Sequence, residues 1–490
     1  MKKVCLFCIT LCLALSSCMK DGYNSWYPDS GYMPEPGTEP GNGDTFQQRG
    51  ENPFVSTAEN AVSSFSVDAD GASYAYMRRC LREIGFVQAE SVRLEEYLNY
   101  FPFDYPEPAA GETLGINAEL AACPWAPSHH LLRLGLKGKS LKENEIPAAN
   151  YILLIDTSGS MYGDDRIGLL RTGLCALVDC LRPDDRVAII TYSGSVRKLL
   201  ESTLVSKGKE QIKRAIRSLS ASGCTAGGEA MKMAYEEASA HYTAGGNNRI
   251  IMCTDGDFNV GVSSTEALVE MVESYQEKGI YLSIMGFGTG NYQDSRMESL
   301  SNHGNGTYTY IDSEEEMLKV FVNERSHFWS VANDTKCQVR FNPEVVAQYR
   351  LLGYENRLMT QEEFQDSKKD AGEIGAGQNV TALYEIVFQE HSDPEKKPVA
   401  ATFEARYKRS LKDAESRSLS LNVCQQPQYQ PSRNMDFAAG VSAFALILRK
   451  SSYKGDATVS MAYELVEGSL DYDPNGYRAE LLQLMDKYGR

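Results

Sequence analysis

Over residues 150–328 the chain repeatedly sets a short, unbroken apolar run before a longer amphipathic stretch, and no other feature restricts the fold as much. The apolar runs fall at 151–155, 187–192, 249–253, 280–286 and 307–311. Between the first two, 166–182 carries Ile167, Leu170, Leu174, Leu177, Val178 and Leu181 on one helical face. Strands without polar alternation are buried on both faces, so this order predicts a parallel sheet covered by helices on each side. Val196–Leu200 predicts an antiparallel edge strand. In such a sheet a ligand sits beyond the carboxyl ends of the strands.

The flanking segments follow a different period. Residues 53–108 read as a small helical unit, with Tyr74, Met77, Leu81 and Ile84, then Leu94, Tyr97, Leu98 and Phe101, at helical spacing. Asp68, Asp70 and Ser73 precede the first helix; capping is the preferred reading over calcium ligation. Residues 113–145 change to period two, with Leu132, Leu134 and Leu136 alternating with Arg133 and Gly135. The same alternation returns in 335–425, as in Cys337, Val339 and Phe341, Phe403, Ala405 and Tyr407, and Leu419, Leu421 and Val423. That pattern predicts an antiparallel sandwich. The strands of 113–145 need partners, so they are expected to join the later sheet, which makes 150–328 an insertion. Helices near 434–450, 456–468 and 476–488 close the chain within 434–490.

The first residues carry an address. Lys2 and Lys3 precede an apolar run, Val4–Leu15, too short to span a bilayer. Leu15-Ser16-Ser17-Cys18 then resembles the lipobox of bacterial lipoproteins, which implies that 1–18 is a signal peptide and that Cys18 is the lipidated residue. A plain secretory signal shares the charge and the length but not this approach to a cysteine. Several acyl chains on one cysteine make a stable membrane anchor. Met19 in place of an aspartate favours the outer membrane, with the periplasmic or surface face left open. Residues 19–52 are rich in Gly, Pro and Tyr and read as a tether spanning on the order of 30 Å. The formal charge of −17, with no run of Lys or Arg, argues against nucleic acid as a partner. Beyond Cys18 the cysteines show no CxxC pair and read mostly as buried thiols.

Three loops converge on the carboxyl edge of the 150–328 sheet. ILLIDTSGSM brings Asp156, Ser158 and Ser160, SGCTAGGEAM brings Thr225, and TDGDFNVG brings Asp255. Each has a turn-forming explanation taken alone. Together they offer two carboxylates and three neutral hydroxyls, a hard-oxygen set suited to magnesium, with manganese or calcium as substitutes. Such a cation stays only partly neutralised, and a carboxylate from another protein would complete its shell.

DxSxS, then Thr225, then the TDG aspartate resembles the metal-ion-dependent adhesion site of von Willebrand factor type A domains, with Asp156, Ser158, Ser160, Thr225 and Asp255 on its five positions. Segments such as ACPWAPSHHLLRLGLKGK, GGNNRIIMCTDGDFNVGVSS and DAGEIGAGQNVTALYEIV extend the likeness to a bacterial family of exported or lipid-anchored proteins, over about 51–489. The resemblance implies an α/β fold. Its doubly wound, mostly parallel six-stranded sheet, Rossmann-like, is inserted in an antiparallel β-sandwich with small helical N- and C-terminal parts. Family membership brings no established substrate or partner; the donor set itself points to a non-enzymatic protein that docks a partner. In type A domains that switch, the last helix moves; here that helix is 313–326, leaving a switching or a rigid junction open.

Two other readings compete. A Mg-dependent hydrolase would use Asp156 as nucleophile, but such chemistry usually wants a second carboxylate where Ser158 stands, and no GxSxG or P-loop motif occurs. An envelope scaffold with a structural metal site is the other. Cys224 and Cys253 flank the site, and inert thiols are preferred over a pair or a soft ligand set. His129 and His130 read as surface polar residues opening a strand.

Overall fold

The computed structural model describes residues 46, 50–223, 227–256, 265–288, 294–366, 369, 371–426 and 430–489. The signal with Cys18, most of the tether, Cys224 and Thr225 lie outside the described residues.

Ala149–Asp156 is buried along its whole length and forms a central strand of a six-stranded sheet. The order across that sheet is Tyr308–Ile311, Ile280–Phe287, Asn247–Thr254, Ala149–Asp156, Arg186–Tyr192 and Val196–Leu204. All neighbours are parallel except the last pair, where Val196–Leu204 returns antiparallel as the edge. Alternate residues of the central strand serve opposite faces. Ile152 and Leu154 pack with Met231, Ala234 and Tyr235 on one side. Leu153 and Ile155 pack with Leu170, Leu174, Leu177 and Phe321 on the other. Two apolar layers on one sheet explain why its strands read as continuous runs, and they make the unit doubly wound. The helix expected at 166–182 begins as a π-helical turn, Asp164–Gly168, and continues as Leu169–Cys180.

The sandwich surrounds this unit in sequence. One sheet runs Val55–Ser56, Val346–Leu352, Asn379–Phe388, His130–Gly138 and Leu114–Ala122. The other runs Leu358–Met359, Val62–Ser66, Ser330–Phe341, Val399–Lys408 and Arg417–Cys424. His130–Gly138 pairs antiparallel with Asn379–Phe388, Leu132 opposite Tyr384. The early strands therefore complete a late sheet, and the α/β unit is inserted between them. Leu132, Leu134 and Leu136 meet Val339, Phe341 and Phe403 in the core between the sheets.

The N-terminal part corrects two expectations. Val62–Ser66 lies in the stretch read as helical, yet it is a sandwich strand paired with Ser330–Phe341; its alternation buries Phe65 in the core. Asp68, Asp70 and Ser73 do not cap the helix Ala72–Glu83, whose N-cap is Gly71 without a side-chain bond. Asp68 pairs with Arg357, Asp70 accepts the Tyr308 N–H, and the Ser73 hydroxyl donates to the Ser91 carbonyl. The Ser73 N–H is instead accepted at 2.7 Å by Glu96 of the next helix. Tertiary partners took the place of a helix cap at all three residues, although Asp68 also accepts the Asp70 N–H at 3.1 Å.

The closing helices are Arg433–Leu448, Val459–Glu467 and Tyr477–Gly489. The first is buried on nearly every side and packs on Leu94–Asn99 of the N-terminal part. Arg78 of the helix Ala72–Glu83 binds Asp312 and Glu316 of the α/β unit and Glu480 of the last helix, so that early helix and the last one both clasp the inserted unit. Cys80, Cys123, Cys253 and Cys337 are buried and Cys175, Cys180 and Cys424 half-buried, all as free thiols. No helix among the described residues is long and apolar enough to cross a membrane.

Candidate metal centre

The central strand ends on a fully buried carboxylate. Asp156 is 0 % exposed because the strand's register carries it into the apolar layer at the sheet's carboxyl edge. Its Oδ1 accepts the Ser158 N–H at 2.8 Å, a turn in which the side chain folds back on its own backbone two residues on. Its Oδ2 accepts the Thr254 hydroxyl at 3.0 Å. Thr254, which closes the neighbouring strand, accepts in turn the Gly256 N–H. The two strand ends are thus tied together through one carboxylate. Sequence reasoning passed over Thr254; its signal was a hydroxyl at the last position of a strand beside the TDG turn.

After Asp156 the chain makes a 3-10 turn, Gly159–Met161, anchored by the buried Met161. The turn brings the hydroxyls of Ser158 and Ser160 to 3.0 Å from each other, the first buried and the second exposed. The Gly159 N–H donates to the Gly223 carbonyl at 3.0 Å, and the Ser222 N–H donates to the Thr157 carbonyl at 2.7 Å. These bonds dock the start of the loop that carries Thr225 onto the DxSxS turn; Thr225 itself lies outside the described residues. Asp255 follows the strand Asn247–Thr254 directly and is 8 % exposed. Four of the five expected site residues are therefore described, and they come from adjoining turns at one sheet edge.

The electrostatics are those of an acidic pocket. Burial pushes the Asp156 carboxyl up to about 6, and the charge of Asp255 adds to that, against the downward pull of the Ser158 and Thr254 hydrogen bonds. Among the described residues, no basic side chain forms an ion pair with Asp156. A buried carboxylate beside a second one, with no basic ion-pair partner of its own among the described residues, is costly unless something neutralises it. A hard divalent cation fits this donor set: the oxygens are hydroxyl and carboxylate, and Cys253, the nearby sulfur, is a buried thiol whose proton burial holds in place.

His129 and His130 stand far from this arrangement in the fold and have structural roles. His129 Nδ1 meets the buried Glu385, which also binds Arg350 at 3.0 Å. The His130 ring packs on Phe388. The reading of these two as surface residues gives way to half-buried ones.

Comparison with known proteins shows which family the chain is drawn from. The family model for the von Willebrand factor type A domain matches residues 150–324, one described as von Willebrand factor matches 40–133, and one described as the C-terminal part of uncharacterized protein YfbK matches 326–490. Uncharacterized protein YfbK of Escherichia coli K12 is 36 % identical over 462 residues, spanning 90 % of this chain and 80 % of that protein. The chain belongs to the von Willebrand type A family that includes YfbK. Inter-alpha-trypsin inhibitor heavy chain H3 of Mesocricetus auratus is a more distant relative, 30 % identical over 184 residues, 36 % of this chain and 21 % of that protein. Among solved structures, a von Willebrand factor type A protein from Catenulispora acidiphila aligns over 78 % of this chain and 99 % of its own, at 13 % identity and a TM-score of 0.44. The BatB protein from Bacteroides thetaiotaomicron aligns over 37 % of this chain and 98 % of its own, at 23 % identity and a TM-score of 0.32.

Proposed function

We propose that this type A family member is a cell-envelope lipoprotein that docks a protein partner through a divalent cation. Asp156, Ser158, Ser160, Thr225 and Asp255 would hold the ion, magnesium in the first instance, with manganese or calcium as substitutes. When bound, the cation offers an electropositive point to a carboxylate of the partner. The chain's own part is to orient the hydroxyls of Ser158 and Ser160 and to supply the negative charge that retains the ion. The observation that carries this reading is the buried Asp156 beside Asp255 with no basic partner of its own among the described residues. Its role is binding, since docking of this kind needs no nucleophile. Cys18 would anchor the chain in the outer membrane, and the tether 19–52 would hold the folded body clear of the lipid.

The test is capture of envelope proteins on the purified chain with magnesium, with chelator, and with Asp156→Ala. Recovery of a discrete partner only in the first condition supports docking. Equal recovery in all three makes the metal structural and leaves a scaffold. Metal-dependent phosphatase turnover lost in Asp156→Asn would overturn the binding role in favour of catalysis. For the anchor, Cys18→Ala is expected to move the protein from the membrane to the soluble fraction.

A further inference from the structure

At the other end of the α/β sheet from Asp156, a polar cleft of about 490 Å³ separates the base of the strands from the sandwich. Arg249, near the start of the strand Asn247–Thr254, lines it together with Asn305 and Arg357. Arg249 is 3 % exposed. One terminal nitrogen donates to the Ser283 hydroxyl at 2.6 Å and the other to the Phe328 carbonyl at 3.0 Å, while Nε has no partner. Tyr281 and Phe328 cover the guanidinium faces, with ring centroids 5.4 and 5.5 Å away. No carboxylate forms an ion pair with it among the described residues.

The other charges of the lining are already engaged. Arg357 is held by Asp68 at 2.8 Å and by Asn302 at 2.7 Å, and Lys369 by Glu363 at 3.1 Å. Asp70 accepts the Tyr308 N–H, and Glu273 lies 3.8 Å from His303. Burial pulls the Arg249 guanidinium below its usual range, and Tyr151, Tyr281 and the wall residue Glu373 offset that only in part. Beside these groups stands a second orphan. Asn305 is 2 % exposed, and neither its amide oxygen nor its amide nitrogen has a partner. Its backbone is left-handed, at φ 45°, a conformation asparagine tolerates better than most residues.

A buried guanidinium costs much unless an anion faces it, and a buried amide costs less but still asks for a hydrogen bond. A water molecule would satisfy the amide and leave the cation unneutralised. A ligand bearing an oxyanion satisfies both. We propose that this cleft binds a small solute carrying a carboxylate or phosphate, its oxyanion facing Arg249 and hydrogen-bonded by the Asn305 amide. The exposed Glu273, Lys369 and Leu358 mark the mouth through which it would enter. The site is separate in the fold from the proposed cation centre and does not depend on it.

The test is calorimetric titration of the purified full chain, in metal-free buffer, with potassium phosphate and separately with sodium succinate, using choline chloride as a control. Saturable binding of either anion but not choline is expected, weakened about tenfold or more by Asn305→Asp, which keeps the backbone preference and places a negative charge in the cleft. Binding of phosphate alone would assign a phosphoryl ligand, and of succinate alone a carboxylate. Asp156→Ala is expected to leave both titrations unchanged, so a failed cation centre does not sink this site. No saturation with either anion, equal affinity in Asn305→Asp, or loss of binding in Asp156→Ala overturns the proposal. Should Asn305→Asp not fold, hydrogen exchange of the wild type decides. Added protection of 302–307 with the bound anion sustains the site, and unchanged exchange there refutes it.

Discussion

Asp156 and Glu95 are both buried carboxylates, and their surroundings set them different tasks. Asp156 is hydrogen-bonded on both oxygens and stands beside Asp255, so its charge is oriented but not neutralised. Replacing it with asparagine removes the electrostatic cost and keeps the shape. In metal-free buffer at neutral pH, Asp156→Asn is expected to melt a few degrees above wild type, a gain of about 1–2 kcal/mol. Added magnesium should raise the melting temperature of the wild type and leave that of the variant unmoved, because a ligand stabilises only the state that binds it. A variant that gains as much as wild type from magnesium would contradict the cation centre. Glu95 differs in having no hydrogen bond to either oxygen while being 1 % exposed. Burial, with Glu355, Asp68 and Glu96 nearby, pushes its carboxyl up to about 8. The folded state then keeps a proton that the unfolded state has released above the usual carboxylate range. Stability from this group is fully present below about pH 4.5 and is lost as pH rises through about 8. Glu95→Gln should therefore match wild type near pH 5 and exceed it by a few degrees at pH 8.5, as thermal melts across that range would register.

Among the elements, those whose partners lie on both faces were the easiest to read. The five parallel strands of the α/β unit appear as apolar runs because helices cover each side, and four of the five site residues follow from where those strands end. The strand Val62–Ser66 was not legible as such, since a short VSSFS stretch beside two helices has no period of its own until Ser330–Phe341 pairs with it. The acidic residues before the helix Ala72–Glu83 misled for a similar reason: a cap is a local expectation, and distant partners outbid it. Gly173 shows the same limit within a helix. It sits mid-way in Leu169–Cys180, where alanine has the better propensity by about 1 kcal/mol. A Cβ there would stand 2.9 Å from the Met317 Cβ of the helix Glu314–Leu318, closer than real contacts allow. Overpacking typically costs about 1–3 kcal/mol, so Gly173→Ala is expected to lower the melting temperature in spite of propensity. The double variant with Met317→Ala should recover part of that loss; a stable single variant would show that the two helices part easily.

For the molecule as a whole, the question is whether an event at the cation centre reaches the sandwich. The connecting segment passes through Glu314–Leu318, a π-helical turn Lys319–Asn323 and a 3-10 turn Arg325–Phe328 before entering the strand Ser330–Phe341. That segment is held by the helices Ala72–Glu83 and Tyr477–Gly489. Arg78 reaches Glu316 at 2.7 Å and Glu480 at 3.2 Å, and donates to the Tyr100 hydroxyl at 2.6 Å. Lys319 pairs with Glu324 at 2.7 Å and lies over the Tyr100 ring. Asn323 donates to the Tyr477 hydroxyl. Sliding the last helix would break buried ion pairs whose loss on one side costs about 3–5 kcal/mol, more than the coupling energy typical between two sites. The junction is therefore expected to be rigid. Hydrogen exchange across 314–328 should be the same with magnesium and with chelator in the wild type. Arg78→Met, which removes the clasp but keeps much of the apolar volume, should speed exchange there and make it respond to magnesium. Protection in the wild type that changes with magnesium would mean that the clasp yields, and that the helices Ala72–Glu83 and Tyr477–Gly489 move with the cation centre instead of restraining it.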